Sequence, residues 1–98
     1  MLHIVNKSPT AAPALESALR LSGSGALLLI EDAVYAATRG NPAEAGIREA
    51  QARLKVYVLA PDLEARGMAD RVTDGITLVD YEGFVDLVVE HPNCKTWL

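Results

Sequence analysis

The sequence predicts an α/β fold: a three-layer α/β/α sandwich built on a mainly parallel sheet of four to five strands. Two apolar runs and one alternation predict it. Ala26-Leu27-Leu28-Leu29-Ile30 is unbroken by any polar residue, and Val56-Tyr57-Val58-Leu59-Ala60 is nearly so. Runs of that kind, too short for a typical helix and without polar alternation, fit strands covered on both faces. Helical patterns separate the strand patterns from end to end, as crossover connections between parallel strands require. The first run stops at two adjacent carboxylates, Glu31-Asp32. Open α/β sheets place their ligand and partner sites at such carboxyl ends.

The elements follow in order. Leu2 to Val5 reads as a first strand closed by Asn6. Ser8-Pro9 starts a helix, with Ser8 as cap and Pro9 at the first helical position. Leu15, Leu19 and Ser22, with Ala18 and Leu21 beside them, keep helical spacing, and Gly23-Ser24-Gly25 ends the element. The second strand occupies about 25–31. Asp32 caps a short helix through Ala33-Val34-Tyr35-Ala36-Ala37 that closes at Arg39-Gly40. Asn41-Pro42-Ala43-Glu44 is a further start signal, with a capping side chain and Glu at the capping-box position. Ile47, Ala50 and Leu54 supply its buried stripe. Lys55 to Ala60 is the third strand, stopped by Pro61, and Asp62 to Arg66 a short helix before Gly67. Asp74-Gly75 turns into a fourth strand, Ile76 to Val79. Asp80 caps the last helix, where Tyr81, Phe84 or Val85, and Val88 share a face. Pro92 ends it, leaving Cys94 to Leu98 for a fifth strand. No repeat, linker or low-complexity segment interrupts residues 1–98, so one domain is expected.

Composition narrows the function. A chain of 98 residues can bury roughly two-thirds of its unfolded surface. Half of its residues are hydrophobic, rich for so small a domain, so part of the apolar area is expected to face another subunit. The formal charge is −4, from nine basic against thirteen acidic residues. A nucleic-acid binder needs a basic stripe to displace phosphate counterions, and none is visible, so direct nucleic-acid binding is not expected. The single cysteine, Cys94, rules out an intrachain disulfide and a multi-cysteine zinc site. No signal peptide and no run of membrane-spanning length is present, which predicts a cytoplasmic protein without membrane contact.

Few side chains can carry chemistry. Cys94 is the one strong nucleophile, with His91 and Lys95 near enough in sequence to lower its pKa; the plainer reading is a small buried, inert hydrophobe. Glu31 and Asp32 can position a ligand or a partner base; the plainer reading has Asp32 capping its helix and Glu31 facing solvent or a subunit boundary. His3 lies in a strand, as a hydrogen-bonded core or interface imidazole, and His91 complements a helix end. Two histidines so placed do not make a metal site. Gly23-Ser24-Gly25 lacks the spacing of a dinucleotide fingerprint, so no cofactor is expected. The segment from Ala33 to Ala37 is apolar nearly all round, and a contact with a neighbouring subunit through Val34 and Tyr35 is expected there.

Five segments resemble the TusB/DsrH family. They are Leu2-His3-Ile4-Val5-Asn6-Lys7-Ser8-Pro9, Leu15-Glu16-Ser17, Leu29-Ile30-Glu31-Asp32-Ala33-Val34-Tyr35-Ala36-Ala37, the stretch from Val56 to Gly67, and Val79-Asp80-Tyr81-Glu82-Gly83-Phe84-Val85-Asp86-Leu87. Trp97-Leu98 also matches. The resemblance spans nearly the whole chain, in order. It implies a DsrE-like fold, and a place beside TusC-like and TusD-like sister subunits in a heterohexamer with two copies of each chain. It further implies a relay in which persulfide sulfur arrives from TusA and leaves through TusE, ending in 2-thiouridine at the tRNA wobble position. In DsrH-type complexes the same relay serves sulfur oxidation. The main sulfur-accepting cysteine belongs to the sister subunit, so no catalytic residue is expected here. DsrH-type members can carry a cysteine after the Leu-Glu-Ser triplet, where this chain has Ala18. A methyl group cannot hold a persulfide, which favours a non-catalytic TusB-type subunit; the alternatives are a DsrH subunit of sulfur oxidation and a stand-alone persulfide carrier using Cys94, which Cys94 accessibility would separate from the first reading.

Overall fold

The structure is a computed structural model that describes residues 1–10 and 13–97. Five strands form one sheet: β1 (Leu2–Val5), β2 (Gly25–Leu29), β3 (Leu54–Leu59), β4 (Thr77–Val79) and β5 (Cys94–Trp97), in the order β4-β3-β2-β1-β5. Every pairing between them is parallel. The helices are α1 (Ala14–Leu21), α2 (Glu44–Ala50), α3 (Ala60–Ala65) and α4 (Tyr81–Glu90), with a 3-10 helix at Glu31–Ala37.

The order of the strands decides how the layers fill. The chain steps from β1 to β4 in one direction, so right-handed crossovers put the intervening helices on one face. That face holds the larger core: Val5, Leu27, Leu29, Val56 and Val58 pack with Leu15 and Ala18 of α1, Val34, Ile47 of α2 and Leu63 of α3. The chain then returns across the sheet, from β4 at one edge to β5 at the other, and α4 covers the opposite face. Leu2, Ile4, Ala26 and Leu28 meet Leu87 there, with Tyr57, Val79 and Phe84 partly buried against them. The sandwich is therefore asymmetric, with one helix on its second face. Leu27, Leu28 and Leu29 are all fully buried, on alternating faces, each contributing roughly 1.5–3 kcal/mol.

Several expected boundaries move, for identifiable reasons. The first helix starts at Ala14, not at Ser8-Pro9. Begun at Pro9, it would need an N–H from Pro13, which proline lacks. The first helical bond instead runs from Ser17 N–H to the Pro13 carbonyl (2.9 Å), while Ser8 Oγ accepts the Thr10 N–H (3.3 Å) in a local turn. Of the expected stripe, Leu21 is 65% exposed, whereas Ser22 is buried and its hydroxyl donates to the Ala18 carbonyl. Arg53, at the far end of α2, donates to the Leu19 and Ser22 carbonyls and so satisfies the end of α1. Gly25 opens β2 at φ +112°, with the Met1 carbonyl oxygen 2.3 Å from where a Cβ would sit, so no other residue fits.

The start signal at Asn41 falls short of the helix: α2 begins at Glu44 behind Ala43, which has no side-chain cap, while Asn41 Oδ1 accepts the Ala43 N–H (2.7 Å) and Glu44 accepts the Gly40 N–H (3.2 Å) in the turn that precedes it. Asp80 caps α4 through the Gly83 N–H (2.8 Å). The face of α4 shared by Tyr81, Val85 and Val88 is not the one that meets the sheet. Leu87 is buried and Phe84 half-buried, while Tyr81, Val85 and Val88 are exposed. The expected fifth strand is present as Cys94–Trp97, and Leu98 lies outside the described residues.

Candidate functional site

At the carboxyl end of β2 the chain leaves the sheet abruptly. Ile30 remains extended, and Glu31 then takes φ +50°, the left-handed region that a side chain with a Cβ seldom enters. What holds it there is Asp62, in the first turn of α3, whose Oδ2 accepts the Glu31 N–H at 2.6 Å. Arg66, just past α3, donates from Nη1 to the Asp62 carbonyl (3.0 Å). Its Nε and Nη2 both reach Asp32 Oδ1, at 3.0 and 2.9 Å. Glu31, Asp32, Asp62 and Arg66 thus tie the ends of β2 and β3 into one charged edge.

Asp32 therefore does not cap its helix. Its position is one residue past the turn, and its carboxylate is drawn to Arg66; the N-terminal donor goes to Asp62 instead. The ion pair is exposed, 61% on the Asp32 side, so it contributes under about 1 kcal/mol and serves to fix orientation. Tyr35 is half-buried, but Val34 is fully buried in the chain's own core with Ala33, Ala36 and Ala37. A partner cannot reach Val34. The apolar character of this helix is explained by burial beneath α2 and α3, which corrects the expectation that it forms a subunit contact through that residue.

Cys94 is exposed, at the amino end of the edge strand β5, which corrects the reading of a buried hydrophobe and leaves the thiol accessible. It pairs in register with Leu2, so it lies on the α4 face of the sheet, about 15 Å along the strand direction from Glu31. The thiol and the carboxylate edge are not one site. Lys95 points to the other face, its Nζ 4.1 Å from the Trp97 ring centroid, and His91 turns its Nδ1 to the Leu87 carbonyl at 2.8 Å. His3 is 5% exposed, and its Nδ1 accepts the Trp97 Nε1–H at 3.2 Å, which is the hydrogen-bonded core histidine expected from its place in a strand.

Among the described residues no group of three or more His, Cys, Asp or Glu could hold a metal ion. No helix among them is long and apolar enough to cross a membrane. Among the described residues, open surface grooves lie at the amino end of β2 and β3 and between α1 and α2. The arrangement of charged groups at the carboxylate edge can bind and orient a partner or ligand.

Reasoning from the sequence did not find Asp62 and Arg66 as partners of the edge. They are 31 and 34 residues from the groups they bind, and no local pattern signals such pairs.

A family model described as DsrH-like protein matches residues 7–94. Protein TusB of Pectobacterium parmentieri is 41% identical over 98 residues, covering 99% of this chain and 100% of that protein. Protein TusB of Escherichia coli K12 is 39% identical over 97 residues with the same coverage. Among solved structures, the ychN protein of E. coli superposes with a TM-score of 0.80 at 19% identity, over 98% of this chain and 97% of that one. MTH1491 of Methanobacterium thermoautotrophicum gives 0.75 at 17% identity, over 97% and 95%. At such identities these two likenesses concern the fold.

Proposed function

The chain belongs to the DsrH-like protein family, and on that premise we propose that it is a non-catalytic subunit of a TusBCD-type sulfur-relay complex. In this reading it stands beside TusC-like and TusD-like sister subunits, two copies of each, in the cytoplasm. The complex takes persulfide sulfur from TusA and passes it to TusE for 2-thiolation of the tRNA wobble uridine. The chain acts as one domain, without nucleic-acid contact of its own. Glu31, Asp32 and Tyr35, at the carboxyl edge, form part of a contact with a sister subunit.

The observation that supports this reading most is the similarity to TusB proteins over the full length of both chains. The geometry agrees with a non-catalytic role. Ala18, where a carrier cysteine would stand, is a wholly buried methyl in the core. Lys95, the cation next to Cys94 in sequence, lies over the Trp97 ring instead.

The test is a Cys94→Ser or Cys94→Ala variant supplied to cells lacking the native gene, with wobble-uridine thiolation and complex assembly measured in parallel. Thiolation and assembly should match wild type, because a small change at an exposed edge costs on the order of 1 kcal/mol or less. Intact complexes that no longer thiolate tRNA would make Cys94 a sulfur carrier and overturn the non-catalytic assignment.

A further inference from the structure

The helix α4 has more apolar surface than the sheet beneath it can cover. Leu87 faces the sheet, with Phe84 beside it. A second stripe, Tyr81, Val85, Val88 and Val89, follows the i, i+4, i+7, i+8 spacing of one helical face, and these residues are 60, 61, 41 and 78% exposed. A third row, Glu82, Asp86 and Glu90, also exposed, repeats every four residues along the remaining flank. At 100° per residue the stripe and the acidic row are adjacent, each turned roughly 110–130° from the buried face. Val89 alone is more exposed than any other large hydrophobic residue described.

Asp80 fixes the start of α4 by capping, and Leu87 anchors its middle against the sheet. A continuous apolar stripe of this kind, bordered by charge, is the pattern of a helix-sized contact rather than of scattered surface residues.

We infer that the outer flank of α4 is a docking surface for a different protein chain, one that presents an apolar strip bordered by Lys or Arg. The charge pattern selects that occupant. The acidic row must meet either water or basic groups, since like charges across a contact are costly. A second copy answers poorly. A two-fold axis that sets two such stripes face to face with antiparallel helices brings both acidic rows to the same side of the contact. The two chains would also add their net charges of −4. This inference rests on the reading of the chain as a subunit among sister subunits. There the carboxyl edge and α4, on different parts of the molecule, give it surfaces for two neighbours.

The experiment co-expresses the chain with tagged sister subunits and measures assembly by co-purification and sedimentation velocity. Val85→Lys with Val89→Lys places two charges in the stripe without touching the core. It should leave the thermal midpoint of the isolated chain in place and weaken assembly at least tenfold. A second variant, Glu82→Lys with Asp86→Lys and Glu90→Lys, should weaken assembly at low salt and flatten its dependence on ionic strength. Glu49→Lys, exposed on α2 across the sheet, should assemble as wild type. If the wild-type complex forms and both α4 variants join it with unchanged affinity, the docking surface is refuted while the subunit reading stands. If the wild-type chain joins no sister subunit, both fall. A homodimer of the isolated chain that the stripe variant abolishes would overturn the choice of occupant.

Discussion

Glu31 carries a backbone conformation that costs about 1 kcal/mol or more for a residue with a Cβ, and a single hydrogen bond from its N–H to Asp62 offsets part of that cost. The two residues should therefore respond in opposite directions. Asp62→Ala removes the acceptor and leaves the turn strained, and should lower unfolding free energy by about 1 kcal/mol. Glu31→Gly relieves the left-handed conformation and should be neutral or stabilising by up to about 1 kcal/mol. Urea unfolding of the two single variants and the double variant checks this. If Glu31→Gly is strongly destabilising, the side chain rather than the backbone is what the turn needs. Strain of this kind gathers where a chain must present groups in a set direction. Here it turns the carboxylates of the β2 end outward along the sheet edge.

At the scale of elements, the 3-10 helix makes the sharpest contrast between neighbours. Val34 is fully buried among aliphatic side chains, so Val34→Asp places an unpaired carboxylate in the core and should cost several kcal/mol, enough to prevent folding. Tyr35→Asp, at a half-buried position, should fold with a modest loss of stability. Circular dichroism and thermal melting separate the two outcomes; a folded Val34→Asp chain would mean this helix does not belong to the core. The strands were legible because a parallel strand buried on both faces needs an unbroken apolar run, as at Ala26–Ile30, and the burial of β2 follows suit. Helix existence was legible from the same periodicity, and the cap at Asp80 from residue type alone. Facing was not. In α4 two apolar stripes share one helix, and periodicity does not say which of them meets the sheet: the face shared by Tyr81, Val85 and Val88 is exposed, and Leu87 with Phe84 meets the sheet. The start of α1 was misread because Ser8-Pro9 is a good local signal, overridden by a second proline at Pro13. The carboxyl edge was legible only in part: Glu31 and Asp32 mark where β2 ends, but their partners come from another element through the fold.

The molecule as a whole brings the two ends of the sequence together. Beginning at β1, in the interior of the sheet, the chain builds outward to β4 and returns to lay β5 along β1. The side-chain bond that joins these two strands spans 94 residues, from Trp97 Nε1–H to His3 Nδ1. An acceptor role for Nδ1 requires a neutral ring with its proton on Nε2, so a protonated His3 cannot keep this bond. Burial holds the His3 pKa below its ordinary value of 6.5, and the positive charges of the Met1 amino group and Lys95 add to the effect. The sign follows from linkage. With the folded value depressed, the unfolded chain takes up a proton at a pH where the folded chain does not. The stability due to this site is therefore present above about pH 6.5 and is lost as pH falls through that value toward the folded pKa. Urea midpoints measured from about pH 7.5 down to about pH 5.5 should decline. His3→Gln removes the titrating group while keeping an oxygen that can accept from Trp97, and should flatten that decline. An equal slope in the variant would assign the pH dependence to other groups. A flattened slope would identify the buried His3 ring as the group through which acid weakens the fold, beside β5, the strand held to the sheet by β1 alone.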